Sequence, residues 1–193
     1  MLLLALETSC DETALALIAT PDKFLDSAHN KDSREVCVLS SIIHSQAALH
    51  STYGGVFPTI AKREHGKNIV ALFHKLLIEA HAYMSFENIR ELHWDECITK
   101  WKETIAPQNP ELFETFLHAE FLKKRPSINW IAVTEGPGLE PALWVGITFA
   151  RMIGELWNIP VRAVNHMEGH IVGSLLPSTI TNGAWHQLAE PLI

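Results

Sequence analysis

The chain has 193 residues, of which 47% are hydrophobic and 19% are charged, and its formal net charge is −7. This composition can bury the core of one domain, or of one lobe of a larger domain, and it excludes a disordered chain. The negative charge provides no general attraction to nucleic acid, so contact with RNA would need local basic patches. Two candidates are Lys62, Arg63 and Lys67, and the run Lys123–Arg125, although each is more typical of a solvated helix face.

The cysteines and the apolar amino terminus indicate a cellular compartment. Cys10, Cys37 and Cys97 are odd in number and have no Cys-x-x-Cys spacing, which favours a reducing environment. Residues 2–6 are apolar, but no basic residue precedes them and Glu7 follows too early for a signal peptide or a membrane span. We expect a cytoplasmic protein without membrane contact.

Three strands are predicted at the amino end. Residues 2–6 and 13–19 flank a polar turn at 7–12, which is typical of an antiparallel hairpin. Residues 21–34 read as a loop, and residues 35–43 contain enough Val, Ile and Leu for a third strand.

The middle of the chain is predicted to be helical. After a break at residues 53–58, apolar residues recur at helical spacing over 60–84. Two further helices are expected at 86–105 and 110–124, because Pro107 and Pro110 interrupt the pattern between them. This part of the chain reads as a helical insertion at about 86–126.

The remaining segments alternate between strand and helix. A strand at 128–134, a helix at 141–157 and a strand at 161–164 are expected, and Asn165 lies where it would cap the next helix. This order is typical of an α/β layered domain with a mixed sheet and flanking helices.

Two histidines, His166 and His170, are four residues apart and would lie on one face of that last helix. Metal ligation is one interpretation, and surface or core histidines are the other. The spacing alone does not decide, because chance would give roughly 0.6 such pairs among 11 histidines. Met167 stands where a His-Glu-x-x-His zinc protease would have its glutamate.

Two turns also have compositions that suit ligands. Residues 7–13, Glu-Thr-Ser-Cys-Asp-Glu-Thr, could hold Mg²⁺ or nucleotide phosphates through water, although polar residues are common in turns for local reasons. Gly136-Pro137-Gly138 lies at a strand-to-helix junction, where a bare backbone and a helix amino terminus favour an anion, but a tight connection needs the same residues. His50 and His65 are interpreted singly as surface or capping residues. The polar connections follow strand ends, where α/β domains place their ligands.

Taken together, these segments resemble the TsaD family, also called Gcp or Qri and related to the Kae and OSGEP proteins. The resemblance rests on their order and combination more than on any one motif. The matching segments are Glu7–Thr13, Ser45-Gln46 with His50, Tyr53–Pro58, Ala61 with Arg63 and His65, Gly136–Leu139, Ala142-Leu143 with Val145-Gly146, and His166–His170.

This resemblance implies an activity and a set of site residues. Family members transfer a threonylcarbamoyl group from threonylcarbamoyl-AMP to the amino nitrogen of the adenosine beside the anticodon in tRNAs that read ANN codons. Their fold is actin-like, Hsp70-like and sugar-kinase-like, with two lobes and the site between them. By resemblance, His166 and His170 are ligands of one Fe²⁺ or Zn²⁺ ion. Ser9, Asp11 and Glu12 would be catalytic residues facing the nucleotide, and Gly136 and Gly138 would help to bind Mg²⁺/ATP or threonylcarbamoyl-AMP.

The resemblance covers one lobe of the family fold. The family continues into a Ser-Gly-Gly-His-Thr phosphate loop and a second lobe with an aspartate as third metal ligand, and the sequence here contains neither. We therefore expect residues 1–193 to be a single amino-terminal lobe that is inactive alone. Its expected partners are tRNA, TsaB-like and TsaE-like proteins, and the missing lobe in cis or in trans.

Two other functions remain open at this stage. One is a non-catalytic scaffold resembling the TsaB paralogue, which has Gly-Pro-Gly but lacks the paired histidines. The other is a metallopeptidase, the family's historical sialoglycoprotein endopeptidase label, which the missing His-Glu-x-x-His glutamate and secretory signal disfavour.

Overall fold

The computed structural model describes residues 1–20, 35–175 and 185–187. Its strands are β1 (Leu2–Glu7), β2 (Glu12–Ala19), β3 (Glu35–Ser45), β4 (Phe86–Asn88), β5 (Lys124–Pro126), β6 (Trp130–Gly136), β7 (Val161–Asn165) and β8 (Trp185–Gln187). Its α-helices are α1 (Ala47–Ser51), α2 (Pro58–Glu79), α3 (Glu91–Thr104), α4 (Pro110–Leu117), α5 (Glu140–Trp157) and α6 (His166–Leu175). The predicted loop at 21–34 lies outside the described residues.

The main sheet has the strand order β7-β6-β1-β2-β3-β8. β1, β2 and β3 are successive antiparallel neighbours, whereas β6 and β7 run parallel to β1. Along β1 and β2 the alternate residues Leu4, Leu6, Leu15 and Leu17 are buried, as the two-residue period of a strand requires. The predicted α/β class, with a mixed sheet and flanking helices, is confirmed.

The helices are arranged in two layers on the sheet. α2 and α5 contact the strands, and α3 and α4 pack on the outside of these two helices. Aromatic rings connect the layers: the Phe116 centroid lies 5.3 Å from that of Trp101 and 6.2 Å from that of Phe149, and Phe149 lies 5.6 Å from Phe73. The predicted insertion therefore contributes side chains to the main hydrophobic core.

The predicted carboxyl end of the helix at 60–84 is wrong. α2 ends at Glu79, and a 3-10 turn, His81–Tyr83, follows it. Its start at Pro58 agrees with the preference of proline for the first helical turn.

The two helices predicted at 86–105 and 110–124 are also too long. Phe86–Asn88 pairs with Lys124–Pro126 as an antiparallel ribbon, so α3 begins only at Glu91. α4 ends at Leu117, and a 3-10 turn, Glu120–Lys123, leads into the ribbon. The pairing joins residues that are distant in sequence, so local apolar periodicity does not indicate it.

Candidate metal centre

The candidate site lies at the edge of the sheet where β1, β6 and β7 end. Because these three strands are parallel, the residues that follow their carboxyl ends come together. The turn after Glu7, the connection after Gly136 and the start of α6 at His166 therefore meet at one edge, where α/β sheets generally bind ligands.

His166 and His170 lie one turn apart at the start of α6. The Asn165 side chain caps this helix, since its Oδ1 accepts hydrogen bonds from the backbone N–H groups of Met167 at 2.8 Å and Glu168 at 3.2 Å. The predicted cap is thus confirmed. The Nε2 atoms of the two histidines are 2.9 Å apart, and their rings are perpendicular with centroids 4.4 Å apart. Two convergent ring nitrogens can bind the same metal ion.

Glu7 and Ser9 contact the other nitrogen of His166. The Nδ1 atom lies 3.2 Å from Glu7 Oε2 and 3.2 Å from Ser9 Oγ. A carboxylate beside Nδ1 favours the tautomer with its proton there, which leaves the Nε2 lone pair for a metal. Carboxylate–histidine pairs of this kind orient metal ligands in many proteins.

Glu7 is itself held in place by two donors. Its Oε1 accepts a hydrogen bond from the Ser9 backbone N–H at 2.5 Å, and its Oε2 accepts one from the Thr134 hydroxyl at 2.5 Å. Burial disfavours the charged form, but the hydrogen bonds from Ser9, Thr134 and His166 outweigh it and hold the pKa of this carboxyl below its usual value. Glu7 is therefore an anion at neutral pH. Glu7 belongs to the polar turn predicted from the sequence, but no sequence pattern connects it with His166.

The donor set fits Fe²⁺ or Zn²⁺ in kind, because imidazole is a common ligand of both ions. Among the residues that the structure describes, no group of three or more His, Cys, Asp or Glu side chains is placed to hold a metal. The described residues thus include two candidate ligands, one of which has an orienting carboxylate.

The three residues predicted to be catalytic occupy different places in the turn. Ser9 is buried and contacts His166, as described above. Asp11 is half-buried and its carbonyl accepts a hydrogen bond from Gln46 N at 2.8 Å, whereas Glu12 is exposed at the start of β2. Within the described part of the chain, neither Asp11 nor Glu12 forms a hydrogen bond or ion pair with His166. Their catalytic roles stay predictions.

Gly136 and Gly138 pack the second turn against the first. A Cβ atom at Gly138 would lie 2.6 Å from the carbonyl oxygen of Ser9, and that oxygen accepts a hydrogen bond from Leu139 N at 2.7 Å. Gly136 has a φ of +147°, which favours glycine. This geometry supports the interpretation of the turn as a tight connection, and the predicted binding role is not tested by it.

The amino terminus of α5 has few N–H groups left for an anion. Ala142 N and Leu143 N donate to the carbonyl oxygen of Leu139, and Pro141 has no N–H. Among residues 139–143, all of them described, only Glu140 retains an N–H for a ligand. Anion binding at this helix terminus stays a prediction.

His50 and His65 are buried, so their interpretation as surface or capping residues is wrong. His65 has no exposed surface and His50 is 2% exposed. Gln46 lies between them, with Oε1 3.1 Å from His50 Nε2 and Nε2 3.3 Å from His65 Nδ1. Isolated histidines in a sequence do not indicate such a network, but their place in the family motifs was a usable signal.

The basic patches are occupied by local partners. Lys67 pairs with Glu64 at 2.6 Å, Lys123 pairs with Glu120 at 2.8 Å, and Lys62 Nζ donates to the Gln108 carbonyl oxygen at 2.6 Å. These contacts favour a solvated helix face for the patch on α2. Lys124 and Arg125 of the second patch lie in β5, so the expected helix face is wrong for them. All three cysteines are free, and none of the described helices is long and apolar enough to cross a membrane.

The chain is thus an α/β protein with a mixed sheet, and two convergent histidines lie at the carboxyl ends of its parallel strands. The family model that matches is TsaD: tRNA N6-adenosine threonylcarbamoyltransferase, over residues 37–90 and 111–182. These ranges make up more than half of the chain, which therefore belongs to the TsaD family. Residues 91–110, which include α3, fall between the matched ranges.

Curated relatives with the name tRNA N6-adenosine threonylcarbamoyltransferase support the same assignment. The protein from Thermomicrobium roseum is 35% identical over 91% of this chain, and that from Trichlorobacter lovleyi is 32% identical over 93%. The protein from Caldicellulosiruptor saccharolyticus is 33% identical over the whole chain. The chain spans only 33%, 36% and 39% of these three relatives, respectively.

A similar solved structure is YeaZ from Pseudomonas aeruginosa. It aligns with 85% of this chain and 42% of its own, with 16% sequence identity and a TM-score of 0.37. No site or partner is inferred from a similarity at this level.

Proposed function

We propose that this chain is the amino-terminal lobe of a tRNA N6-adenosine threonylcarbamoyltransferase, in which His166 and His170 bind one Fe²⁺ or Zn²⁺ ion. The observation that supports the proposal most strongly is the 2.9 Å separation of their Nε2 atoms, with Glu7 on the distal nitrogen of His166. Membership of the TsaD family supports the associated activity.

The proposed reaction transfers threonylcarbamoyl from threonylcarbamoyl-AMP to the amino nitrogen of the adenosine beside the anticodon. The new C–N bond replaces the bond between the carbamoyl carbon and the phosphate oxygen, AMP leaves, and the amine loses one proton. A weakly nucleophilic aromatic amine reacts only if the carbonyl is polarised and water is kept away. The metal, when bound, would act as a Lewis acid. In this lobe, Glu7 and Ser9 orient His166, and the turn containing Asp11 and Glu12 would face the nucleotide.

The matched relatives are longer than this chain, and the proposed site includes a part beyond the matched segment. Catalytic metal ions usually have three protein ligands, and two candidates lie among the residues that the structure describes. Because the relatives are two to three times longer, we propose that a second lobe, in the same or a separate chain, supplies the third ligand. tRNA as substrate and TsaB-like and TsaE-like partners belong to the same proposal.

Metal binding tests the site directly. Titration of the metal-free chain with Co²⁺, followed by its visible absorption, should show one site whose signal is lost in His166→Ala and in His170→Ala. His81→Ala is a suitable control, because this exposed histidine lies in the 3-10 turn after α2. Unchanged Co²⁺ binding in both site variants would show that the histidine pair is not a metal site and would favour a scaffold role.

A chimera tests the activity. The chain aligns along its whole length with 39% of the Caldicellulosiruptor protein, so it can replace the matching part of that enzyme. We expect the chimera to modify tRNA when threonylcarbamoyl-AMP is supplied, and His166→Ala to abolish turnover. The isolated chain should be inactive in the same assay. A folded chimera without activity, or robust turnover by the isolated chain, would contradict the proposal.

A further inference from the structure

A continuous chain of hydrogen bonds connects α1 and α2 to the polar turn. The Phe57 backbone N–H lies 3.4 Å from His50 Nδ1, and His50 Nε2 lies 3.1 Å from Gln46 Oε1. At the other end, His65 Nε2 lies 3.1 Å from the carbonyl oxygen of Cys10. These hydrogen bonds join residues that are far apart in sequence, and the last of them, at Cys10, lies one residue from Ser9.

The partners fix the direction of every hydrogen bond. His50 Nδ1 accepts from an N–H, so its Nε2 carries the proton and donates to Gln46 Oε1. The Gln46 amide therefore presents its nitrogen to His65 Nδ1. His65 Nε2 donates to a carbonyl oxygen, which can only accept, so His65 Nδ1 is the acceptor.

This pattern requires a neutral His65. Its Nδ1 lies 3.3 Å from Gln46 Nε2, which can only donate, so a proton on Nδ1 would face a donor. The Thr13 hydroxyl, 2.7 Å from the same nitrogen, can donate to the neutral ring. Burial of the imidazole lowers the pKa of His65, and this also favours the neutral form of the ring.

The contacts of His65 flank the residues that form the candidate site. Cys10 follows Ser9, whose hydroxyl lies 3.2 Å from His166 Nδ1, and Thr13 is on the other side of the turn. The Gln46 backbone N–H also donates to the Asp11 carbonyl oxygen at 2.8 Å. The turn is thus held from inside the protein by His65, Thr13 and Gln46, while Ser9 faces the metal site.

We propose that His65 is a positioning residue: it fixes the Cys10 carbonyl and so holds Ser9 against the metal ligand His166. The proposal rests on the proposed function only in treating His166 as a ligand. His65 thus has a role that the geometry of the candidate metal centre alone does not give it.

Two substitutions of His65 separate positioning from simple space filling. His65→Gln retains a side-chain N–H that can reach the Cys10 carbonyl, whereas His65→Leu fills similar space with no polar group. The matched control is His74→Leu, since His74 lies on the same helix but is exposed and stacks on Phe121 with centroids 4.2 Å apart. Circular dichroism verifies that each variant is folded.

Co²⁺ affinity is the first readout. We expect His65→Leu to weaken binding by roughly tenfold, the lower end of the effect of outer-shell partners. His65→Gln should recover most of this loss, and His74→Leu should bind as the wild type does. Equal affinities for wild type and a folded His65→Leu would overturn the proposal.

The ring ¹⁵N spectrum of His166 is the second readout and does not depend on metal binding. In the metal-free protein at pH 7.5, His65→Leu should shift the His166 Nδ1 signal because the Ser9 contact is altered, and His65→Gln should restore it. If the wild type binds no Co²⁺ through His166, the proposed function fails, and this spectrum still decides the positioning role. An unchanged His166 signal in His65→Leu would overturn it.

Discussion

Gly138 and Ser9 are in direct backbone contact at the candidate site. A Cβ atom at position 138 would lie 2.6 Å from the Ser9 carbonyl oxygen and 2.8 Å from the Ser9 Cβ. The adjacent Leu139 N–H donates to the same oxygen at 2.7 Å. The turn after β6 therefore determines where the turn after β1 can lie. A substitution at Gly138 should displace Ser9, and a substitution at Ser9 should displace Gly138.

Gly138→Ala tests this contact. A new methyl group against backbone atoms cannot be accommodated by a side-chain rotation, so we expect a destabilisation of about 1–3 kcal/mol. Urea unfolding gives the free energy. Gly173→Ala is the control, because no atom lies within 4 Å of its added Cβ and alanine favours a helix. An equal stability for Gly138→Ala and wild type would mean that the two turns are not in contact.

Glu7→Gln tests the orienting carboxylate. The amide keeps the shape of Glu7 but loses the charge that holds the Nδ1 proton of His166, so Co²⁺ affinity should fall about 10- to 100-fold. Glu135→Gln is a matched control, since Glu135 is exposed near the end of β6. Calorimetric titration measures both variants, and a Glu7→Gln affinity equal to that of the control would remove Glu7 from the site.

His65 should make the folded protein sensitive to acid. Burial lowers its pKa in the folded state, whereas the unfolded value is about 6.5. As pH falls through this value, the unfolded chain takes up a proton that the folded protein does not, so the free energy of unfolding decreases. The contribution of the neutral His65 to the free energy of unfolding is therefore complete above the pKa of the unfolded state and is lost progressively below it.

The measurement is the free energy of unfolding at pH 7.5 and 5.5. The wild type should lose more stability than His65→Gln over this interval, by at most about 1.4 kcal/mol per pH unit for one proton. His74→Gln should behave as the wild type, because His74 is exposed. Identical losses in wild type and His65→Gln would show that His65 is not held neutral.

The strands of the main sheet up to β7 and the capped helix α6 could be predicted from the sequence because their signals are local. Alternating leucines define β1 and β2, and Asn165 marks the start of α6. The ribbon of Phe86–Asn88 with Lys124–Pro126 could not be predicted, since its stability depends on a pairing between distant segments. Strand β8 was not predicted for the same reason.

For the candidate site, the sequence predicted polar connections at strand ends, but it did not predict which side chains touch. Parallel strands bring the turns near Ser9, Gly138 and His166 to one edge whatever their detailed sequence. The contact of Glu7 with His166 depends on side-chain rotamers and on Thr134, which lies on a third segment. The burial of His65 depends in the same way on packing between α2 and the turn.

Trp101→Ala tests whether α3 is a peripheral addition or part of the core. α3 falls outside the ranges matched by the family model. If it were an appended helix, its removal would change the free energy of unfolding of the rest of the protein only slightly. However, Trp101 is 2% exposed, its ring contacts Phe116, and its Nε1–H donates to Glu155 Oε2 at 3.2 Å. Large-to-alanine changes at such positions cost about 3–5 kcal/mol.

The neighbouring Lys100 provides the matched control. Its Nζ lies 2.6 Å from Glu155 Oε1, but the side chain is 58% exposed, so Lys100→Ala should cost less than about 1 kcal/mol. Urea unfolding of both variants, followed by circular dichroism, should give one transition, shifted strongly only in Trp101→Ala. A small shift, or a separate early transition, would show that α3 unfolds independently. A single shifted transition means that this segment, although outside the family match, stabilises the same core that supports α5 and the turn at Gly138.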